Sequence, residues 1–315
     1  MHPDRSVPAM ATPRAAFFAL QCSIAVTFAG CGGAPTEQSC QHDSDCPSSF
    51  CKADGTCAPA EIDGGMVGSD APAGSGTDAS TGACTPNHDG TISADEVPLI
   101  AGRMANFRIA TNATVSTAGQ VGSGGARTWD LSTQLSGDAD VAVTLIAPTG
   151  QYWATAFPTA TYATPLSAGS DVLGLFEVGA TEVTLVGLVS PASGGTTNLK
   201  YSPPATILKL PFKAGDTWTS SSTVSGTLSG VASNYTEKYT SRVDAVGTMT
   251  TPYGAFPVLR VATDLSDLQL TVPFNSNRTF AWVAECFGTV ATVTSQANET
   301  GSEFTNAAEV KRLAP

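Results

Sequence analysis

Residues 98–315 predict an all-β body, preceded by a disordered, disulfide-stapled N-terminal stalk. The body is expected as a strongly curved antiparallel sheet, a sandwich or a partly open barrel. Three observations carry this. Thr, Val, Ser, Ala, Gly and Tyr dominate the stretch, and helical periodicity is poor. Several runs alternate with period two: Tyr235, Tyr239 and Val243 share one face, while Thr236, Lys238, Thr240 and Arg242 share the other. Turn residues recur at short intervals, and more than ten short strands in the space available suit a sandwich or barrel.

Residues 1–30 read as a secretory signal. Arg5 and Arg14 mark a basic leader, and residues 15–29 are almost wholly apolar. As a helix that run spans about 22 Å, short of the roughly 30 Å hydrocarbon core, so it is a signal and not a membrane span. The stretch Thr27-Phe28-Ala29-Gly30-Cys31 resembles the bacterial lipoprotein signal, in which a small pair precedes a Cys; Phe28 stands where Leu is usual. The resemblance implies that Cys31 becomes the mature N-terminus of a lipidated segment, 31–39. Its acyl chains would hold the protein to a membrane at about 0.8 kcal/mol per buried CH₂. Gly32 after the Cys implies export to the outer membrane. The alternative is an ordinary secretory signal cleaved nearby.

The chain has eight cysteines. Cys22 leaves with the signal and Cys31 takes lipid. The remaining Cys40, Cys46, Cys51, Cys57, Cys84 and Cys286 read as disulfides in an exported chain. The first four form a compact module, 40–57, too small to bury a core, so crosslinks must order it. Spacing leaves three connectivities; 40–51 with 46–57 is preferred, with zinc as the competing reading. Cys84 and Cys286 are left to pair with each other. Residues 58–83 are mostly Gly, Ala, Ser, Thr, Asp and Pro with little that is apolar, a flexible linker.

Residues 84–97 hold the most specific local motif. Asn87-His88-Asp89-Gly90-Thr91-Ile92-Ser93-Ala94-Asp95-Glu96 resembles the EF-hand calcium loop. With Gly90 at the sharp turn, the resemblance implies Asn87, Asp89, Thr91 by its carbonyl, Ser93 and Glu96 as a weak Ca²⁺ ligand set. Thr85 stands where the family carries Asp, and no entering helix precedes the loop. The alternative is a turn followed by a short capped helical stretch.

Further along the body, strands are expected at 107–115, 140–147, 152–164, 171–178, 182–189, 206–210, 217–228, 235–243, 257–264, 268–273, 279–285 and 288–296. Residues 182–189 are apolar enough to be buried on both faces. Turns are expected at Pro148 to Gly150, Gly194-Gly195, Pro203-Pro204, Ala214 to Asp216, Pro252 to Gly254 and Asn275 to Asn277. Trp129, Trp153, Trp218 and Trp282 each fall in a strand and read as core. Three stretches (Leu210 to Trp218, Thr251 to Val261 and Phe280 to Val290) resemble a segment of bacterial envelope proteins to which no activity is assigned. There a Gly-x-x-Trp strand start, a Thr-Pro-x-Gly-x-Phe hairpin and a closing Gly-x-Val strand build a curved antiparallel sheet. More loosely, the whole chain is similar to lipoproteins of myxobacteria. The resemblance implies fold and location only.

Charge narrows the function. Residues 37–96 carry eleven acids against Lys52 alone, and residues 97–315 carry fifteen acids against twelve bases. The body is near neutral with no basic patch, which argues against nucleic acid. The three His residues, His2, His42 and His88, all precede the body, so Ser-His-Asp and Cys-His catalysis within it are excluded. Glu177, Glu182, Glu237, Asp244 and Glu285 are scattered, and no spacing singles out a pair for glycoside hydrolysis. The expected function is a non-enzymatic, lipid-anchored envelope protein that binds a lipid-like or protein ligand, or serves as a scaffold. The alternatives are a carboxylate-based glycan hydrolase and a structural or adhesive surface module. A continuous apolar cavity would favour the first; a cleft with paired carboxyls would favour the hydrolase.

Overall fold

Sixteen strands, β1 to β16, build the described part of the chain, residues 84–315 of a computed structural model. The signal, Cys31 and the Cys40–Cys57 module lie outside the described residues. The strands are β1 Thr91–Ile92, β2 Met104–Thr114, β3 Gln120–Val121, β4 Arg127–Asp130, β5 Ala139–Thr144, β6 Tyr162–Pro165, β7 Leu173–Val178 and β8 Glu182–Val189. They continue with β9 Asn198–Lys209, β10 Phe212–Lys213, β11 Thr217–Leu228, β12 Val231–Thr250, β13 Ala255–Gln269, β14 Val272–Ala284, β15 Gly288–Ser295 and β16 Asn306–Leu313.

The main sheet runs β5-β2-β16-β15-β14-β13-β12-β11-β9-β8-β7-β6, with antiparallel neighbours throughout that path. Its two ends meet. Just past β5, the Ile146 amide donates to the Ala163 carbonyl of β6 at 2.7 Å, and the Ala163 amide donates back at 2.9 Å. The all-β expectation holds, and the sheet is a nearly closed barrel, which leaves few unpaired edges.

Register identifies the inner face. Val183 of β8 and Val283 of β14 are five places apart in the sheet, yet they share one apolar cluster with Trp218, Val243 and Val261. Only the concave face brings such distant strands together. The small β1–β10 ribbon adds Ile92 and Phe212 to that cluster and plugs that end of the interior.

Two excursions cover the outer face. Residues 116–138 lay Trp129 against Trp282 with ring centres 5.5 Å apart. Two buried arginines fasten this excursion. Arg260 donates to the Thr117 carbonyl at 2.6 Å, to both Asp244 oxygens at 2.9 and 2.8 Å, and to Glu303 at 3.1 and 2.7 Å. Arg312 donates to the carbonyls of Leu131 and Thr133 and to Asp138. Residues 148–161 fold Trp153 and Phe157 over β6, β7 and β8, and Gly187 leaves room for the Phe157 ring.

Several local expectations are corrected. Residues 152–161, read as strand, form turns, because Trp153 and Phe157 are held by the outer face and not by a ladder; only 162–165 pair. Pro203-Pro204, read as a turn, lies inside β9 where its ladder with β8 is interrupted, so the missing amide hydrogens break no bond there. Asn275 to Asn277 continue β14. The real hairpin turn is at Leu270 and Thr271, within the stretch read as strand 268–273. Strand β16 was not anticipated, because Asn306 to Leu313 carries three charged side chains in eight residues.

Candidate functional site

Direct cross-strand partners point to the same face of a sheet. The partner row Val243–Val261–Ala281–Thr292–Lys311–Ile109 therefore lies on the inner wall, because Val243 and Val261 belong to the inner cluster. One step along, Ser241, Thr263, Thr279, Thr294 and Glu309 form a polar belt. In it the hydroxyls of Ser241 and Thr263 lie 2.9 Å apart, and those of Thr279 and Thr294 lie 3.2 Å apart. Three steps along the same strands, Ser222, Glu237, Asp267 and Asn275 make a third row.

Two features on this wall carry chemistry. The first is the pair Glu237 and Asp267, direct partners on β12 and β13 and only 6% and 7% exposed. Tyr239 donates to Glu237 Oε2 at 2.5 Å and Tyr235 to Oε1 at 3.2 Å, while Asn275 donates to Asp267 Oδ2 at 2.8 Å. Burial raises the Glu237 pKa, with the nearby Asp267 charge adding to it and the Tyr239 and Tyr201 hydroxyls opposing it. Burial raises Asp267 as well, against the Asn275 bond. Asp267 Oδ1 and Ser222 Oγ are buried without a partner among the described residues. Tyr201 and Tyr239 are buried around the pair, and the cavities described below do not reach it.

The second feature is a groove of about 580 Å³ where β2, β15 and β16 approach β5 and β6. Phe107, Val143, Leu145, Tyr162 and Leu313 give it apolar walls, and Lys311 is set among them. Val143 and Lys311 also line an adjoining pocket of about 120 Å³ beneath the 165–170 loop. The Lys311 ammonium sits 4.3 Å from the centre of the Phe107 ring. It makes no ion pair among the described residues. Burial lowers its pKa, and the nearby Glu309 charge partly offsets this. Glu309 itself accepts the Ala168 amide at 2.9 Å.

In the calcium-like loop, side chains bond to the loop's own backbone. Gly90 makes the sharp turn, with φ of +79°. Asn87 Oδ1 accepts from the Asp89 amide, and Asp89 Oδ1 from the Thr91 amide, at 2.9 and 2.7 Å. Glu96 is 4% exposed, and its Oε2 accepts both the amide and the hydroxyl of Ser93, at 2.9 and 2.7 Å. That is a turn followed by a capped 3-10 helix, Ala94–Glu96. Among the described residues, no three His, Cys, Asp or Glu side chains converge on a metal position. Cys84 is bonded to Cys286, as expected by exclusion, and the Cys286 amide donates to the Glu96 carbonyl at 2.8 Å. Both bonds pin the plug to the end of β14.

The other acids named from sequence do not meet. Asp244 holds Arg260, Glu182 accepts from Thr206, and Glu285 accepts from the His88 amide. All four tryptophans are buried, although Trp153 lies in a turn and not a strand. Asp267 and Lys311 escaped sequence reasoning. The alternation Glu309, Lys311, Leu313 was the available signal for the latter. Family models, curated proteins and solved structures were compared with the chain, and none matches.

Proposed function

We propose that this chain is a lipid-anchored cell-envelope protein, held at the outer membrane through Cys31, whose β body is a non-enzymatic module for a lipid-like ligand. The observation that carries the reading is the apolar groove walled by Phe107, Val143, Leu145, Tyr162 and Leu313. Its volume of about 580 Å³ falls within the roughly 300–1,000 Å³ of small-molecule sites. Closure of the Glu237–Asp267 pair behind tyrosines supports a binding role over hydrolysis, since a glycosidic bond must sit between its two carboxyls. Calcium enters this reading only as a weak ligand of the 84–97 loop. Absence of any melting shift at millimolar calcium retires it.

The binding claim is tested with N-phenyl-1-naphthylamine, a neutral dye that brightens in apolar surroundings. Saturable binding to the native chain is expected, and Val143→Arg, which places a bulky cation in the wall, should abolish it. Binding unchanged by that substitution would place the ligand elsewhere. The address is tested by Cys31→Ala, which should release the protein from membranes; a variant that stays membrane-bound sinks the lipid anchor.

A further inference from the structure

We infer that the groove selects amphiphiles with an anionic head, seating a carboxylate or phosphate on the Lys311 ammonium and the acyl chain along the wall of Phe107, Val143, Leu145 and Tyr162. This rests on the groove being the ligand site proposed above. It goes further by naming the chemistry of the head group and the residue that recognises it.

Four observations carry it. The partner row from Val243 to Lys311 points this half-buried lysine into the barrel, between its cross-strand partners Ile109 and Thr292. Its ammonium rests on the face of Phe107, a contact that holds a cation without neutralising it. No described carboxylate pairs with it. The nearest acid, Glu309, is held toward the Ala168 amide at 2.9 Å. A cation partly taken out of water and left without a described counter-ion is costly, and burial already weakens its hold on the proton. A ligand anion arriving at this position supplies the missing partner. The bond it makes is charge-assisted and lies in a low-dielectric wall, where it is strongest.

The remaining charges fit the same picture. Arg103 lines the groove and is exposed, so it adds a second positive charge where a head group enters. Lys311 lies at the junction of the larger groove and the smaller pocket, with apolar surface on both sides. A chain can therefore run away from the head through the larger space while the head stays at the junction.

The experiment uses the full mature chain and four ligands with one tail: dodecanoate, dodecyl phosphate, dodecanol and dodecyltrimethylammonium. Each competes against N-phenyl-1-naphthylamine. The two anions should displace the dye at concentrations about 10- to 100-fold lower than dodecanol, the worth of one charge-assisted bond. The cation should bind more weakly than dodecanol. Comparing the two anions tells a carboxylate head from a phosphate head. Lys311→Met keeps the volume and removes the charge; it should bring anion and alcohol to about equal potency and leave dodecanol unchanged. Lys311→Arg should restore the preference, and Lys311→Gln serves if the Met variant does not fold. A native chain that binds all four alike, or a Met variant that still prefers anions, overturns the inference and leaves the groove reading standing. A native chain that never binds the dye overturns the groove reading as well.

Discussion

Glu237 and Asp267 face each other as direct partners across the β12–β13 ladder, and both carboxyls are buried on the inner wall of the barrel. Two acids so placed cannot both ionise cheaply. Burial raises both pKa values, so the folded chain keeps protons that the unfolded chain releases. Their stabilising contribution is full below the ordinary carboxylate range and is lost as pH rises through the folded-state values. The double variant Glu237→Gln/Asp267→Asn should therefore melt higher than the native chain at about pH 8, and the two should converge toward about pH 4. Parallel melting curves across that range would sink the idea.

Arg260 holds together three pieces of chain that are distant in sequence. It is 1% exposed, bonds Asp244, Glu303 and the Thr117 carbonyl, and lies 4.2 Å from the Phe280 ring centre. Arg260→Met takes the buried guanidinium from two acids, which keep only the more exposed Arg242 and Arg127, at 3.8 and 3.6 Å. The expected loss is about 3–5 kcal/mol in urea unfolding. Restoring neutrality with Asp244→Asn and Glu303→Gln in the same chain should recover part of it. A loss under about 1 kcal/mol would mean that water replaces the guanidinium freely.

The Cys84–Cys286 bond closes a loop of 202 residues. Cross-links over long loops restrict the unfolded chain most, so Cys286→Ser should cost about 2–5 kcal/mol. Cys84→Ser should cost the same, since both remove one constraint. Denaturation of the native chain with and without reductant checks this independently; if reductant leaves the midpoint unmoved, the bond is not holding the plug.

Leu270 turns the β13–β14 hairpin with a φ of +61° while 90% exposed. A branched side chain is strained there and buries little in return. Leu270→Gly relieves the strain, partly offset by the greater freedom of glycine in the unfolded chain. We expect a gain of about 0.5–1 kcal/mol, read as a raised Tm. A lowered Tm would show that Leu270 packs against something in solution.

Some of this architecture is legible in the chain itself. Residues 182–189 and 217–228 form strands where their composition places them, and β8 is buried on both faces as its apolar run requires. The Ala214 to Asp216 and Pro252 to Gly254 turns also fall where expected. These features are local: a few neighbouring residues decide them through side-chain alternation and backbone preference. Where a local signal failed, a distant partner had overruled it. Asn275 reads as a turn residue, yet it pairs in β14 and bonds Asp267; Pro203 reads as a break, yet the sheet uses it at a gap in a ladder.

The sequence by itself determined that the body is β, that Cys84 is left with Cys286, and that residues 98–315 hold no histidine of their own; only the fold brought His88 to within 3.5 Å of Glu285. Only the tertiary structure decided what the charges do. Glu237 was one scattered acid until the β12–β13 register set it opposite Asp267. Lys311 was an unremarked charge until β16 entered between β15 and β2 and turned it inward onto Phe107. The reason is that side chains alternate with period two, so a shift of one residue in any ladder exchanges inside for outside. That register is set between strands far apart in the chain, where no local pattern can reach.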